Sequence, residues 1–153
     1  METLTVITIV VAGVLAGNEL GTWAVVHRQL AALPTPQQVA AEQALNRGYE
    51  RLMPPLMIAA VAAGAVFASV VPAGAGSTPW TLAISGTICL VAMLGITLAG
   101  NVPINRATDR STLDIDPATW SSMRARWNRL HDIRIVLDLA GFVLFICAGL
   151  AAR

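Results

Sequence analysis

Long stretches without a charged side chain constrain the fold of this chain more than any other feature of its sequence. No Asp, Glu, Lys or Arg occurs between Arg51 and Arg106, and residues 3–18 and 139–152 contain none either. Hydrophobic side chains make up 56% of the 153 residues and charged ones 12%, whereas about a quarter of the residues are charged in a soluble globular protein. The sequence therefore predicts an integral membrane protein.

Four apolar segments approach the roughly 20 residues that a helix needs to cross the hydrocarbon layer. They cover about residues 4–26, 52–71, 80–100 and 133–151. We predict an all-α fold, a four-transmembrane-helix bundle, in which 1–153 form a single membrane domain with charged connectors at 27–51 and 101–132. The first span is interpreted as retained, because Glu2 stands where a secretory signal would carry basic residues.

The distribution of arginine predicts the orientation of the bundle. The arginines in or beside the two charged connectors are Arg28, Arg47, Arg51, Arg106, Arg110, Arg124, Arg126 and Arg129. The opposite side offers only Arg153, and the connector Pro72–Pro79 is uncharged and rich in turn formers, which predicts a hairpin of spans two and three. By the positive-inside rule, both charged connectors face the cytoplasm and both termini lie outside.

Each of the two charged connectors contains a signal for the start of a helix. Thr35-Pro36-Gln37-Gln38 predicts a helix from Pro36 toward Arg51, which we expect to lie at the membrane surface. Asp116-Pro117 predicts a second start, and one long helix is expected over Pro117–Ala151, beginning in the cytoplasm and continuing as span four.

Polar side chains inside the spans are the strongest candidates for function, because each costs at least a few kcal/mol unless it faces a protein interior or a wet cavity. These residues are Asn18 and Glu19 late in span one, Asn101 at the end of span three, and Arg134 and Asp138 early in span four. In the predicted topology all three helix ends lie at the cytoplasmic face. We therefore expect these side chains to share one depth.

Helical spacing adds further residues to this group. One stripe of span four consists of Trp127, His131, Arg134 and Asp138. Glu19, Trp23 and His27 are expected to share a face of span one. Asn101 and Asn105 flank Pro103, whose missing N–H is expected to disturb the last turn of span three.

Structural interpretations of the same residues stay open. Arg134 could form an ion pair with Glu19, which would join spans one and four, or with Asp138 one turn away. The asparagines could hydrogen-bond between helices, and the tryptophans could anchor the chain at the membrane interface. The arginines of the connector 101–132 are interpreted as solvated.

Two classes of function are disfavoured by composition. The formal net charge is +1, and no cluster of basic residues forms the electrostatic footprint that nucleic-acid binding needs. Cys89 and Cys147 show no CxxC or Cys/His spacing, so neither a zinc site nor a disulfide framework is indicated.

Three short motifs carry a family resemblance. They are Asn18-Glu19, Asn101-x-Pro-x-Asn105 and Trp127-Asn128-x-x-His131-x-x-Arg134. Over nearly its whole length the chain resembles the anthrone oxygenase family of small four-span membrane proteins. This resemblance implies a bacterial plasma-membrane oxidoreductase whose partners are membrane lipids, dioxygen and a lipophilic, anthrone-like or quinol-like molecule from the bilayer, and it leaves a homo-oligomer open.

The implied chemistry needs no cofactor, because a base can remove an acidic methylene proton of an anthrone and the carbanion can react with dioxygen. His131 or Glu19 could be that base, and the sequence does not decide between them. Stabilising donors would come from Arg134, Asn101 and Asn105. An aromatic slot for the substrate would come from Trp127 and Trp23, with Asn18 beside it.

Two alternatives stand beside this prediction. Glu19, His27 and His131 could hold copper or iron, which take imidazole and carboxylate ligands. The protein could also be a small transporter or a structural partner of another membrane protein, with no catalytic activity.

Overall fold

The computed structural model describes residues 2–71 and 74–152, and this part of the chain contains helices and no strand. Four helices within it are long and apolar enough to cross a membrane. They are α1 (Glu2–Ala31), α2 (Thr35–Val70), α3 (Thr78–Arg110) and α4 (Pro117–Ala151). The predicted all-α fold with four membrane-spanning helices is confirmed. Met1, Arg153 and the first two residues of the predicted Pro72–Pro79 connector lie outside the described residues.

The four helices form a closed ring, because each packs against its neighbour in sequence and α1 packs against α4. The most extensive interface joins α3 and α4. There a Cβ atom on Gly86 would lie 3.2 Å from the carbonyl oxygen of Gly141, and a Cβ atom on Gly141 would lie equally close to the carbonyl of Gly86. Glycine at both positions therefore permits direct backbone contact between the two helices.

The bundle is apolar both inside and outside. Phe67, Leu90, Met93 and Phe145 are completely buried in its core. Exposed aliphatic side chains cover the outer surface of all four helices, including Val6, Val10, Val14, Ile58, Val66, Ile88, Val91, Val136, Val143 and Leu150. Such a surface fits lipid as the surrounding solvent, and it supports the assignment as a membrane protein.

Helices α2 and α4 both begin at the start signals that the sequence contains. The carboxylate of Asp116 accepts hydrogen bonds from the backbone N–H and the hydroxyl of Thr119, at 2.8 and 2.9 Å, which hold the pKa of Asp116 below its usual range. The predicted helix from Pro36 toward Arg51 is present, but it does not end there, because α2 continues from Thr35 to Val70 with Pro54 and Pro55 inside it. A packed membrane bundle tolerates such prolines, since neighbouring groups satisfy the backbone.

Two π-helical segments interrupt the spans beside their polar residues. Thr22–Val26 follows Glu19 in α1, and Thr97–Asn101 in α3 ends directly before Val102 and Pro103. The second segment confirms the expected disturbance near the proline. A π-helical turn has more residues than an α-helical one, so side chains beyond it face a different direction from the one that α-helical spacing predicts.

Candidate active site

A cavity lies between the helices where α1 and α3 approach their C-terminal ends. Its wall is mostly apolar, with Leu45, Met53, Pro54, Met57 and Val102 among the lining residues. The polar and aromatic lining residues are Asn18, Glu19, Thr22, His27, Glu42, Asn46, Tyr49, Glu50, Thr97, Asn101, Asn105, Trp127, His131 and Arg134. The expectation that the polar ends of spans one, three and four meet is therefore confirmed.

The carboxylate of Glu19 links α1 to α4. Its Oε1 atom accepts a hydrogen bond from Nη2 of Arg134, and its Oε2 atom lies 3.1 Å from Nδ1 of His131. All three residues are buried, with at most 5% of their surface exposed. We call Glu19, Arg134 and His131 the His131 triad. Of the two ion pairs that the sequence leaves open, the structure contains the one between Glu19 and Arg134.

A second group at the cavity has the same composition. Nη2 of Arg124 lies 2.9 Å from Oε1 of Glu42, and Nδ1 of His27 lies 3.6 Å from the same oxygen. Glu42 and Arg124 are 3% and 6% exposed. We call His27, Glu42 and Arg124 the His27 triad. Each triad thus places a buried carboxylate between a guanidinium group and the Nδ1 edge of an imidazole.

The indole ring of Trp127 connects the two triads. Its centroid lies 4.5 Å from the ring centroid of His27 and 4.6 Å from that of His131. The guanidinium carbon of Arg124 lies 4.7 Å from the same indole, within cation–π distance. The indole N–H donates to Oδ1 of Asn105 at 2.7 Å, which fixes the ring at the cavity wall.

Several buried polar atoms have no hydrogen-bond partner in the described residues. They include Oδ1 of Asn18, Oδ1 of Asn101, Nε2 of His27, Oε2 of Glu19 and both ring nitrogens of His131, so the 3.1 Å approach of Oε2 to Nδ1 is an ion-pair contact and not an aligned hydrogen bond. All five residues line the cavity. Unsatisfied buried polar groups are costly, so their presence in one cavity is typical of a site that binds a polar part of a ligand.

Trp23 is the predicted site residue that the structure does not place in the cavity. It is 38% exposed, and its indole N–H donates to Oδ1 of Asp132 at 2.8 Å. The expected common face of Glu19, Trp23 and His27 is wrong, because the π-helical segment Thr22–Val26 changes the register between them. Glu19 and His27 line the cavity and Trp23 does not.

Asp138 is buried, but it is absent from the cavity wall. Only 1% of its surface is exposed, and neither carboxylate oxygen has a hydrogen-bond partner in the described residues. The predicted alternative pairing of Arg134 with Asp138 is not found, since Arg134 bonds Glu19.

Glu42 and Arg124 are the important residues that the sequence prediction misses. Arg124 was expected to be solvated with the other connector arginines, and that expectation is wrong because it is buried against Glu42. A signal was present, since Arg124 lies three residues before Trp127 and seven before His131, on the same helical stripe. Asn46 and Tyr49 also line the cavity, one and two turns beyond Glu42 on α2.

Metal ligation was a predicted alternative for Glu19, His27 and His131. Residues 2–71 and 74–152 contain no group of three or more His, Cys, Asp or Glu side chains arranged to hold a metal ion. Glu19 is bonded to Arg134 and contacts His131, whereas His27 faces Glu42. Glu19 and His131 thus face each other, whereas His27 faces a different carboxylate.

The fold and the cavity define a class of protein, a four-helix membrane bundle with buried, ion-paired histidines in an apolar cavity. The family model of anthrone oxygenase matches residues 42–144, more than half of the chain. The chain therefore belongs to the anthrone oxygenase family. The matched range includes the cavity residues of α2, α3 and α4, whereas Glu19 and His27 precede it. No curated protein and no solved structure matches the chain.

Proposed function

We propose that this protein is a membrane oxygenase that converts an activated methylene group of a flat, apolar aromatic molecule into a carbonyl, with dioxygen as the oxidant. The observation that carries the proposal is the position of the Glu19 carboxylate, between the guanidinium group of Arg134 and Nδ1 of His131. Family membership supports the reaction class. The apolar cavity wall suits a substrate that enters from the bilayer.

His131 is the base in this proposal and Glu19 positions it. A carboxylate at Nδ1 favours the tautomer with the proton on that atom, which leaves a lone pair on Nε2. Nε2 has no partner among the described residues, and His131 lines the cavity. Glu19 is less suited to be the base, because both of its oxygens face partners that stabilise its charge.

The oxygen of the substrate carbonyl gains negative charge when the methylene proton leaves. Oδ1 of Asn105 accepts the hydrogen bond from Trp127, so the amide nitrogen of Asn105 is the group left for a ligand. We propose that this amide and the hydroxyl of Tyr49, both at the cavity wall, stabilise that charge. The Tyr49 oxygen pairs with Oγ1 of Thr22 at 2.8 Å, and when Thr22 is the donor the Tyr49 proton is left for the ligand. The ring of Trp127 then provides an aromatic surface for the substrate.

The reaction requires no metal or organic cofactor in this proposal, because the carbanion itself reduces dioxygen. The site also needs no second subunit, since one chain supplies every residue named above. We further propose the orientation that the arginines indicate, with both termini outside a bacterial plasma membrane and the cavity in its cytoplasmic half.

Oxygen uptake tests the proposal directly. Purified protein in lipid nanodiscs is supplied with an anthrone, and dioxygen consumption is compared with that of heat-inactivated protein and of empty nanodiscs. Uptake well above both controls, with quinone formed in proportion, supports the enzyme. Uptake equal to the controls across several anthrones and quinols contradicts it and favours a transport or structural role.

A further inference from the structure

The His27 triad repeats the arrangement of the His131 triad, and the proposed base does not account for it. In both triads a carboxylate that forms an ion pair with an arginine also faces the Nδ1 edge of a histidine, at 3.1 Å in the His131 triad and 3.6 Å in the His27 triad. In both, the Nε2 atom of the histidine is buried without a hydrogen-bond partner in the described residues. A second imidazole therefore has its Nε2 edge unengaged at the same cavity.

The two imidazoles are close enough to act on one ligand. Their ring centroids are 5.3 Å apart with an interplanar angle of 77°, and Trp127 contacts both. Both rings line the same cavity. Because α1 supplies His27 and α4 supplies His131, a molecule bound in the cavity between these helices lies beside both imidazoles.

The oxidation itself requires two proton-transferring groups at one step. In the first half, His131 takes a methylene proton, the carbanion bonds dioxygen, and the peroxide anion recovers that proton as a hydroperoxide. In the second half, the remaining C–H proton leaves to a base while the C=O bond forms and the O–O bond breaks. The departing hydroxide needs a proton at that moment, and a single imidazole cannot accept one proton and donate another in the same step.

We infer that His27, oriented by Glu42 and Arg124, is the second acid–base residue, and that it protonates the departing oxygen of the hydroperoxide. This inference rests on the proposed function. His131 accepts the second C–H proton, and His27, in its doubly protonated form beside the Glu42 carboxylate, gives up the proton on Nε2. One water molecule then leaves and the carbonyl product remains. A proton passed from His131 to His27 restores both groups, and each methylene oxidised consumes one dioxygen.

The test separates the two halves of the reaction in a His27→Ala variant. Dioxygen uptake, quinone absorbance and hydroperoxide, titrated with iodide after an acid quench, are followed in the same sample. We expect dioxygen uptake to continue, quinone formation to fall by about tenfold or more, and hydroperoxide to account for the difference. Asp132→Asn is the matched control, because Asp132 is exposed on α4 and contacts Trp23 outside the cavity.

Two results would overturn the inference. If His27→Ala forms one quinone for each dioxygen consumed, as the wild type does, His27 has no role in the breakdown of the hydroperoxide. Uptake and quinone that fall together without hydroperoxide mean that His27 acts earlier or only supports the fold. If His27→Ala does not fold, His27→Gln decides between the same outcomes, because it removes the imidazole and leaves the ion pair of Glu42 and Arg124 intact.

The proposed function fails separately. A folded His131→Ala variant that consumes dioxygen at the wild-type rate contradicts the assignment of the base, whatever His27→Ala does. Loss of uptake in His131→Ala, together with hydroperoxide in His27→Ala, supports both assignments.

Discussion

Nδ1 of His131 lies 3.1 Å from Oε2 of Glu19, although the two residues belong to the first and last helices of the bundle. The other oxygen of this carboxylate bonds Arg134. A buried carboxylate is costly unless positively charged or donor groups stabilise it. Here Arg134 and His131 stabilise it, and His131 is also the proposed base. The ion pair is therefore both a link between α1 and α4 and a support for the proposed base.

Glu19→Gln should lower both stability and turnover. The amide keeps the shape of the side chain but leaves the buried guanidinium of Arg134 without a counter-charge. We therefore expect the melting temperature to fall by roughly several degrees. Turnover should fall as well, because Nδ1 of His131 loses its charged acceptor. Thermal unfolding and oxygen uptake of the purified variant check the two effects.

The double variant Glu19→Gln/Arg134→Gln separates these effects. Removing both charges avoids an uncompensated ion, so the double variant should regain part of the lost melting temperature while turnover stays low. The single variants Glu19→Gln and Arg134→Gln give the reference losses of melting temperature. A double variant whose loss exceeds the sum of these two losses would contradict the role of this ion pair.

Much of the fold follows from the sequence because the bilayer imposes it. Four apolar segments can only be helices in lipid, and the Asp116-Pro117 start signal marks the beginning of α4. The continuity of α2 across Arg51 is not predicted, because the charged connector 27–51 and the apolar span 52–71 differ in composition although both are helical.

The candidate site was predictable only in part. Asn18, Glu19, Asn101 and Arg134 stood out because polar groups are rare in a span. Trp23 was misplaced because nothing in the sequence marks the π-helical register change at Thr22–Val26. Glu42 and Arg124 lie in segments that contain several other charged residues, so their charge does not single them out. Their burial against each other depends on how α2 and α4 pack.

Gly64→Ala should destabilise the bundle. A Cβ atom there would lie 2.6 Å from Cζ of Phe145 and 2.9 Å from Oγ1 of Thr87, and Phe145 is completely buried and cannot easily move. Gly17→Ala is the matched control, because a Cβ at Gly17 meets no atom within 4 Å. We expect a lower melting temperature for the first variant alone, and equal values for both would contradict the packing described at Gly64.

Reporter tags test the proposed orientation. Tags at residues 1 and 153 should be accessible from outside intact cells, and tags inserted near Thr35 and Ser111 should report a cytoplasmic location, because the arginines flank these connectors. The reverse pattern would place the cavity in the outer half of the membrane.

Elemental analysis tests whether the reaction needs a metal. Because the Glu19 carboxylate bonds Arg134 and His27 faces Glu42, we expect active protein to contain less than about a tenth of a copper or iron ion per chain. A stoichiometric ion that is lost together with activity on chelation, and restored with it, would replace the cofactor-free mechanism.

Oxygen uptake by His131→Ala tests the central claim most directly. The variant is compared with wild type and with Asp132→Asn in the same nanodiscs, after gel filtration and thermal unfolding have established that all three are folded. Loss of the general base should reduce anthrone-dependent oxygen uptake by about 10²–10⁴-fold while Asp132→Asn remains active. Wild-type uptake in folded His131→Ala would contradict the account and place the base elsewhere.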